Sequence, residues 1–378
     1  MQVVVLAAGQ GTRLRPLTHD RPKSMLNLAG RPLAHHLFEQ LVACGVKEVH
    51  LVVGHGHDKL RAYFGDGQRF GLKLHYHTQL RQLGPGHALM QARAALDPDQ
   101  NVHLIPADAW YDQALLARVL AQKEPCLVTT PDARSARHGI PVVQRGRVMD
   151  LALRTAQEGE EPSGGLYVLP PGIFERLETS NLRLRDAIAA DLAANGPWAF
   201  LRAAGNDYVD LIEHRDLMRL HDRLMHVVDD DRQGRVEASA QLIGPVRVGE
   251  GSTIRAGTVI TGPASIGRNC LVGPNAVLQP GTSLRNHVVV EPFTLLRRCS
   301  VSSNVTVGSH SRIDGAFLDD GVRVGNGTHV QGHEGILIGA DARLGNRVQV
   351  LDNSRIGVRA SVADGRTVGD VPDQGVAV

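Results

Sequence analysis

Basic runs, paired cysteines, aromatic side chains and long apolar stretches are all scarce in this chain of 378 residues. The formal net charge is only +2, and no cluster of Lys and Arg stands out. That balance argues against nucleic acid or an anionic membrane surface as partner. The four cysteines, Cys44, Cys126, Cys270 and Cys299, lie far apart and form no CxxC pair. Neither a disulfide framework nor a zinc knuckle is expected, and reduced thiols in the cytoplasm are the simplest reading. No apolar stretch approaches the length of a membrane span. The short apolar run from Val3 to Ala8 has no basic segment ahead of it, so a secretory leader is not expected either.

Aromatics make up 4% of the chain while glycines number 41, which points to a glycine-punctuated repeat in part of it. The length implies two domains. Up to about residue 228, short apolar strands alternate with helical patterns. Strands are expected at Val3–Leu6, Val49–Val53, Leu72–His77, Val102–Ile105 and Cys126–Thr130. Helices are expected at Pro32–Cys44, His87–Leu96 and Gln113–Gln122, with one exit helix from Asp210 to Val228. Such alternation predicts a mostly parallel sheet covered on both faces, with ligands beyond the carboxyl ends of its strands. Residues 229–240 read as a solvated linker, because Asp229, Asp230 and Asp231 open them.

From residue 241 to 370 the rhythm changes. Apolar residues recur every six positions, from Leu242, Val248, Ile254, Ile260 and Ile266 through Leu296. Three shifted frames follow, read as bulged corners or short insertions. Gly249, Gly267, Gly273, Gly325, Gly339, Gly345 and Gly357 each follow an apolar residue, and Gly or Asn is expected to permit the corners. A six-residue period is the mark of a parallel β-helix. Residues 371–378 read as a tail.

The first strand runs into Leu6-Ala7-Ala8-Gly9-Gln10-Gly11-Thr12-Arg13-Leu14. Its small residues let backbone N–H groups approach phosphate oxygens, and Arg13 adds a forked cation. Lys23, in Pro22-Lys23-Ser24, supplies a second and more compact charge. The P-loop and dinucleotide fingerprints are both absent. A tight turn with two solvated cations is the bland alternative.

These residues resemble the signature of sugar-1-phosphate nucleotidyltransferases, and Gly30-Arg31-Pro32-Leu33 continues the likeness. The hexapeptide half is similar to the subset that includes the bifunctional N-acetylglucosamine-1-phosphate uridylyltransferases. The resemblance implies an α/β fold: a Rossmann-like nucleotidyltransferase domain over 1–228, then a left-handed parallel β-helix. It implies that Leu6, Ala7, Ala8, Gly9, Gly11 and Thr12 line the nucleotide, with Arg13 on the leaving pyrophosphate and Lys23 on the reacting phosphates. Gln79 and Gly84 match the stretch that reads the base, with UTP favoured and dTTP next. Asp108 and Asp210 match the two positions that hold Mg²⁺; each could otherwise cap the helix that follows.

At the acceptor end Gly139, Arg154 and Ser163 are expected to meet the sugar phosphate of N-acetylglucosamine 1-phosphate or a related hexose 1-phosphate. That region departs from the uridylyl pattern: His138-Gly139 stands for Tyr-Gly, and Leu153-Arg154 for Glu-Lys. His310 falls near the histidine base of acetyl-transferring relatives, and acetyl-CoA enters as a partner only if the β-helix is catalytic. An exposed corner histidine is the favoured reading there. The resemblance also implies a homo-oligomer, a trimer or a dimer of trimers. Two alternatives stay open: a catalytically weak nucleotide-sugar-binding paralogue, and cytidylyl transfer to a phosphocholine- or phosphonate-like acceptor.

Overall fold

The computed structural model describes residues 1–205 and 207–377; Val378, at the end of the expected tail, lies outside them. The chain divides into two compact units. One comprises Met1–Gln10, Arg21–Met25 and Leu33–Asp210; the other comprises Gly11–Asp20, Leu26–Pro32 and Leu211–Val378. The N-terminal segment is thus shared, and the loop bearing Arg13 groups with the C-terminal unit rather than with residues 1–228.

The first unit is built on a seven-stranded sheet. Its order is Ala199–Arg202, Cys126–Thr129, Ser163–Leu169, Val102–Pro106, Gln2–Ala7, Glu48–Val53 and Lys73–Thr78. All neighbours run parallel except Ser163–Leu169, which is antiparallel to both of its own. Apolar residues fill both faces. Val3, Val5 and Leu51 pack with Phe38, Leu41 and Leu116 on one side. Val4, Val52 and Leu104 pack with Leu89, Phe174 and Ile188 on the other. This is the mostly parallel, doubly covered sheet that the alternation predicts. Ser163–Leu169 escapes a sequence reading because Gly164 and Gly165 break its apolar run, although all seven of its residues are buried.

The exit helix begins later than expected, at His214, and ends at Met225. Asp216, at its third position, accepts from the N–H groups of Ile212 and Glu213 and so fixes the start. Asp210 caps no helix; it lies in the strand Tyr208–Asp210, antiparallel to Ala109–Tyr111.

The second unit is a parallel β-solenoid of about eight turns, the left-handed β-helix expected from the hexapeptide pattern. One face stacks nine short strands. The inward residues, Val248, Ile254, Ile260, Ile266 and their successors, are fully buried and form one continuous core. The frame shifts have a simple cause in coil length. Ile266 pairs with Leu284, eighteen residues on. Leu284 pairs with Val301 and Val301 with Leu318, each seventeen on. Leu318 then pairs with Ile338, twenty on. Two shifts are therefore single-residue deletions, not insertions, and the strands Leu295–Val301 and Arg312–Leu318 continue through the shortened corner, turning at Arg298 and Gly315, both of positive φ.

Both expected boundaries of the solenoid move outward. Within the presumed linker, Asp231–Arg232 and Arg235–Val236 pair with Val246–Val248 and Thr253–Ile254 as a first coil. Within the presumed tail, Val376–Ala377 pairs with Ser361–Val362. An end coil has one neighbour rather than two, so its sequence can be polar and still pair. All four cysteines are free. Among the described residues no helix is long and apolar enough to cross a membrane.

His221 ties the second unit together. Its Nε2–H donates to the Gly281 carbonyl at 2.8 Å, and its Nδ1 accepts from the Ala29 N–H at 3.2 Å. The backbone partners dictate that neutral tautomer, since a carbonyl only accepts and an amide only donates. Burial pushes its pKa down to about 4, against the opposing bond to Gly281. The imidazole's stabilising contribution is therefore complete above the unfolded value of 6.5 and is lost as pH falls towards 4. We expect His221 to cost up to about 1.4 kcal/mol per pH unit across that window. Urea unfolding at neutral and mildly acid pH should show a smaller stability gap in His221→Gln than in the natural chain; an equal gap would refute the assignment.

Candidate functional site

The chemistry-bearing residues of the first unit gather at one edge of its sheet. Ala8, Gly9 and Gln10 follow the Gln2–Ala7 strand, Gln79 follows Lys73–Thr78, and Asp108 follows Val102–Pro106. Ser163 opens the single antiparallel strand, so it lies at the same edge, opposite Thr129. The loop after the first strand passes close over its neighbour: a Cβ on Gly54 would stand 2.9 Å from the Ala8 carbonyl oxygen. Gly9 has open space around it. Gly11 adopts a left-handed conformation, with φ 66°, and starts the single turn Thr12–Leu14 that carries the exposed Arg13 in the other unit.

Lys23, Asp108 and Asp210 lie together, with a fourth charge among them. Lys23 Nζ lies 3.3 Å from Asp108 Oδ2. Asp210 faces Ala109 across the two-stranded ladder, next to Asp108 in sequence, and its side chain is 1% exposed. Arg137 Nη2 donates to Asp210 Oδ2 at 2.5 Å. Burial and the nearby Asp108 carboxylate push the Asp210 pKa up, against the pull of Arg137 and Lys23. Stripping the guanidinium from so buried a carboxylate would leave a charge uncompensated, at a cost of about 3–5 kcal/mol.

Arg137 is the residue that sequence reasoning passed over. Its signal was a cation directly ahead of His138-Gly139, the very dipeptide that departs from the uridylyl pattern. Arg137 Nε donates to His138 Nε2 at 3.0 Å. Burial holds His138 neutral, with its pKa near 4, and the adjacent Arg137 charge adds to the shift. The imidazole sits over Gly165, where a Cβ would stand 3.0 Å from its Cε1. The ring centroids of Tyr208 and Tyr111 are 5.7 Å apart. Tyr208 donates to the Gly164 carbonyl and Tyr111 to that of Pro106. Burial raises both phenols well above their ordinary pKa, so neither serves as a base.

Two oxygen ligands, one deeply buried and one partly open, suit a hard cation that keeps several waters and takes substrate phosphate oxygens for the rest. Asp210 Oδ2 is committed to Arg137, while Oδ1 has no bond to a described group. Among the described residues no group of three His, Cys, Asp or Glu could hold a metal alone. The donor set therefore fits Mg²⁺ shared with a triphosphate and fits a closed structural site poorly.

Gln79 and Gly84 also meet, through a bond from Gln79 Nε2 to the Gly84 carbonyl at 3.1 Å, with His87 Nδ1 2.9 Å from the same amide nitrogen. The acceptor-end expectations fare differently. The Ser163 hydroxyl is fully buried and bonds Tyr167 at 2.9 Å, because the residue lies inside a strand. It shapes the site from within rather than presenting a donor to a sugar phosphate. Gly139 accepts the Ser163 N–H, and a Cβ on it would strike Leu151. Arg154 forms a two-pronged pair with Glu160 at 2.5 Å, so its charge is already matched. In the solenoid, the exposed His310 occupies a left-handed corner, φ 59°, with its ring stacked on Phe293 at 5.0 Å. His50, His75 and His77 cluster on neighbouring strands: His50 stacks on His75 and bonds His77 at 3.0 Å.

The profile of the nucleotidyl transferase family matches residues 2–221, and that of the hexapeptide repeat of succinyl-transferase matches residues 263–291. A glucose-1-phosphate thymidylyltransferase from Streptomyces griseus is 27% identical, over 91% of this chain and 99% of its own length. A bifunctional protein GlmU from Alkalilimnicola ehrlichii is 28% identical, over 100% of this chain and 94% of its own. A crystal structure from Bacillus anthracis, described as a glucose-1-phosphate thymidylyltransferase, covers 61% of this chain and 98% of its own with a TM-score of 0.54. At 19% identity it shares the fold.

Proposed function

We propose, since this chain belongs to the nucleotidyl transferase family, that it joins a nucleotide to a hexose 1-phosphate and releases pyrophosphate. The observation that carries this reading is the convergence of Lys23, Asp108, Arg137 and Asp210 at the carboxyl edge of the sheet. A phosphate oxygen of the sugar attacks the α-phosphorus of the triphosphate in line, and the bond to the β-phosphate oxygen breaks. The attacking phosphate is already ionised, so no general base is required. The neutral His138 and the un-ionised Tyr111 and Tyr208 agree with that economy.

Catalysis is then positioning and charge neutralisation. Lys23 holds the reacting phosphates, and Arg13, by its place in the motif, the leaving pyrophosphate. Asp108 and Asp210 would hold Mg²⁺, which when bound supplies charge stabilisation on the phosphoryl oxygens. Gln79 and the Gly84 carbonyl offer an amide and an acceptor at the position of the base, with UTP first and dTTP next.

The test is pyrophosphate release with UTP, dTTP and CTP against a panel of hexose 1-phosphates and phosphocholine, in Mg²⁺. Release is expected with UTP or dTTP and at least one hexose 1-phosphate. Nucleotide binding without release across the panel would overturn the enzyme reading in favour of a regulatory one. Release confined to CTP with phosphocholine would replace it with cytidylyl transfer.

A further inference from the structure

We propose that Arg137 is a ligand of the acceptor's phosphate, parked on Asp210 until a divalent cation takes that carboxylate. The inference rests on the nucleotidyl-transfer reading above and adds a substrate contact that the sequence motifs do not carry.

Three observations support it. First, the guanidinium is only partly committed. Nε is tied to His138 and Nη2 to Asp210, while Nη1 bonds no described group and the side chain is 39% exposed. Second, the contact it makes is the one a metal would contest. Asp210 offers oxygen to Arg137 now, and the same carboxylate is half of the hard-oxygen pair with Asp108. A divalent ion at a given distance attracts a carboxylate twice as strongly as a monovalent guanidinium does. Third, the release is hinged. The Nε bond to His138 does not involve Asp210, and the imidazole is packed over Gly165. The terminal fork can therefore leave the carboxylate while its stem stays anchored. A planar fork whose terminal Nη1 and Nη2 edge is free is suited to a phosphate. Arg154, the other candidate cation, is already matched by Glu160.

Two cations, Lys23 and Arg137, face two carboxylates, Asp108 and Asp210. A dication held by those carboxylates would balance them, and the guanidinium would then be available to a phosphate. An acceptor would bind well only after metal, which gives an order to binding without a moving domain.

The experiment uses the full chain with Arg137→Ala, Arg137→Gln and Arg137→Lys. Mn²⁺ binding is followed by electron paramagnetic resonance without substrate. Binding of glucose 1-phosphate, N-acetylglucosamine 1-phosphate and inorganic phosphate is followed by calorimetry, with Mg²⁺ and an α,β-methylene triphosphate present. Arg137→Ala and Arg137→Gln should weaken phosphate binding by at least about tenfold, the worth of one charge-assisted bond. They should bind Mn²⁺ at least as tightly as the natural chain. Arg137→Lys should recover part of the phosphate affinity. Unchanged phosphate affinity in Arg137→Gln, or failure of the natural chain to bind any of the three phosphates, would overturn the proposal. So would a tenfold loss of Mn²⁺ affinity in a folded variant, since Arg137 would then be a support for Asp210. These binding measurements are independent of pyrophosphate release, whose absence would count against the nucleotidyl-transfer reading instead.

Discussion

Asp108→Ala should lower turnover by about 10³-fold or more while leaving the fold intact, because it removes a carboxylate from the charge-stabilising centre. The side chain is 31% exposed and pairs with Lys23, so nothing in the core depends on it. The backbone around it is held independently: Ala107 N–H donates to the Leu6 carbonyl, and Ala109 pairs with Asp210. Asp108→Asn should be milder, since one neutral oxygen ligand survives. Asp210→Ala makes the informative contrast. It too should abolish turnover, but it also strands a buried part of Arg137, so its unfolding midpoint should shift where that of Asp108→Ala does not. The measurements are kcat at saturating Mg²⁺ and urea unfolding of each variant. An Asp108→Ala protein within about fivefold of natural turnover would remove Asp108 from the metal site, since losing even one transition-state contact costs far more.

Part of the candidate site was legible because Asp108 follows a strand of the parallel sheet, where ligand-facing ends converge. Lys23, in the single turn Lys23–Met25, and Asp210, in a separate two-stranded ladder, were flagged by short motifs alone. Arg137 was not legible, because its role depends on a partner 73 residues away in sequence. Ser163 was placed at the sugar phosphate by resemblance, and nothing in its local sequence showed that it starts a buried antiparallel strand. Helix and strand could not be told apart at Asp210, where an apolar run continues into an amphipathic helix and only Asp216 marks the true start. The solenoid was legible for a geometric reason: its inward aliphatic residue returns every sixth position, while the second inward position, two residues earlier, is filled by varied residues such as Ala264, Cys270, Ala276 and Val288. Its ends were hidden, because outward residues there are polar and the inward position in the first coil is marked by little more than Val236.

Gly267→Ala should destabilise the solenoid by about 3 kcal/mol or more, the upper range for forcing atoms into a filled core. The glycines that follow the apolar residues were expected to serve the corners through their conformational freedom. None of them has positive φ; the left-handed corners are carried instead by residues such as Asn269, Asn275, Asn304 and Asn353, with φ between 54° and 61°. Gly267 is required because the coils touch there: a Cβ on it would stand 2.0 Å from the Arg285 carbonyl oxygen. That oxygen is backbone of the next coil, held by the ladder that joins Ile266 to Leu284 and Arg285 to Val301, so it cannot swing aside as a side chain could. Asn269→Gly tests the other half of the argument. It places an unhindered residue at a left-handed corner and should change stability by no more than about 1 kcal/mol. Unfolding of the full chain followed by circular dichroism separates the two variants. If Gly267→Ala proved as mild as Asn269→Gly, close approach between coils would not be what keeps glycine after the inward residue, and the spacing of the repeat would need another physical origin.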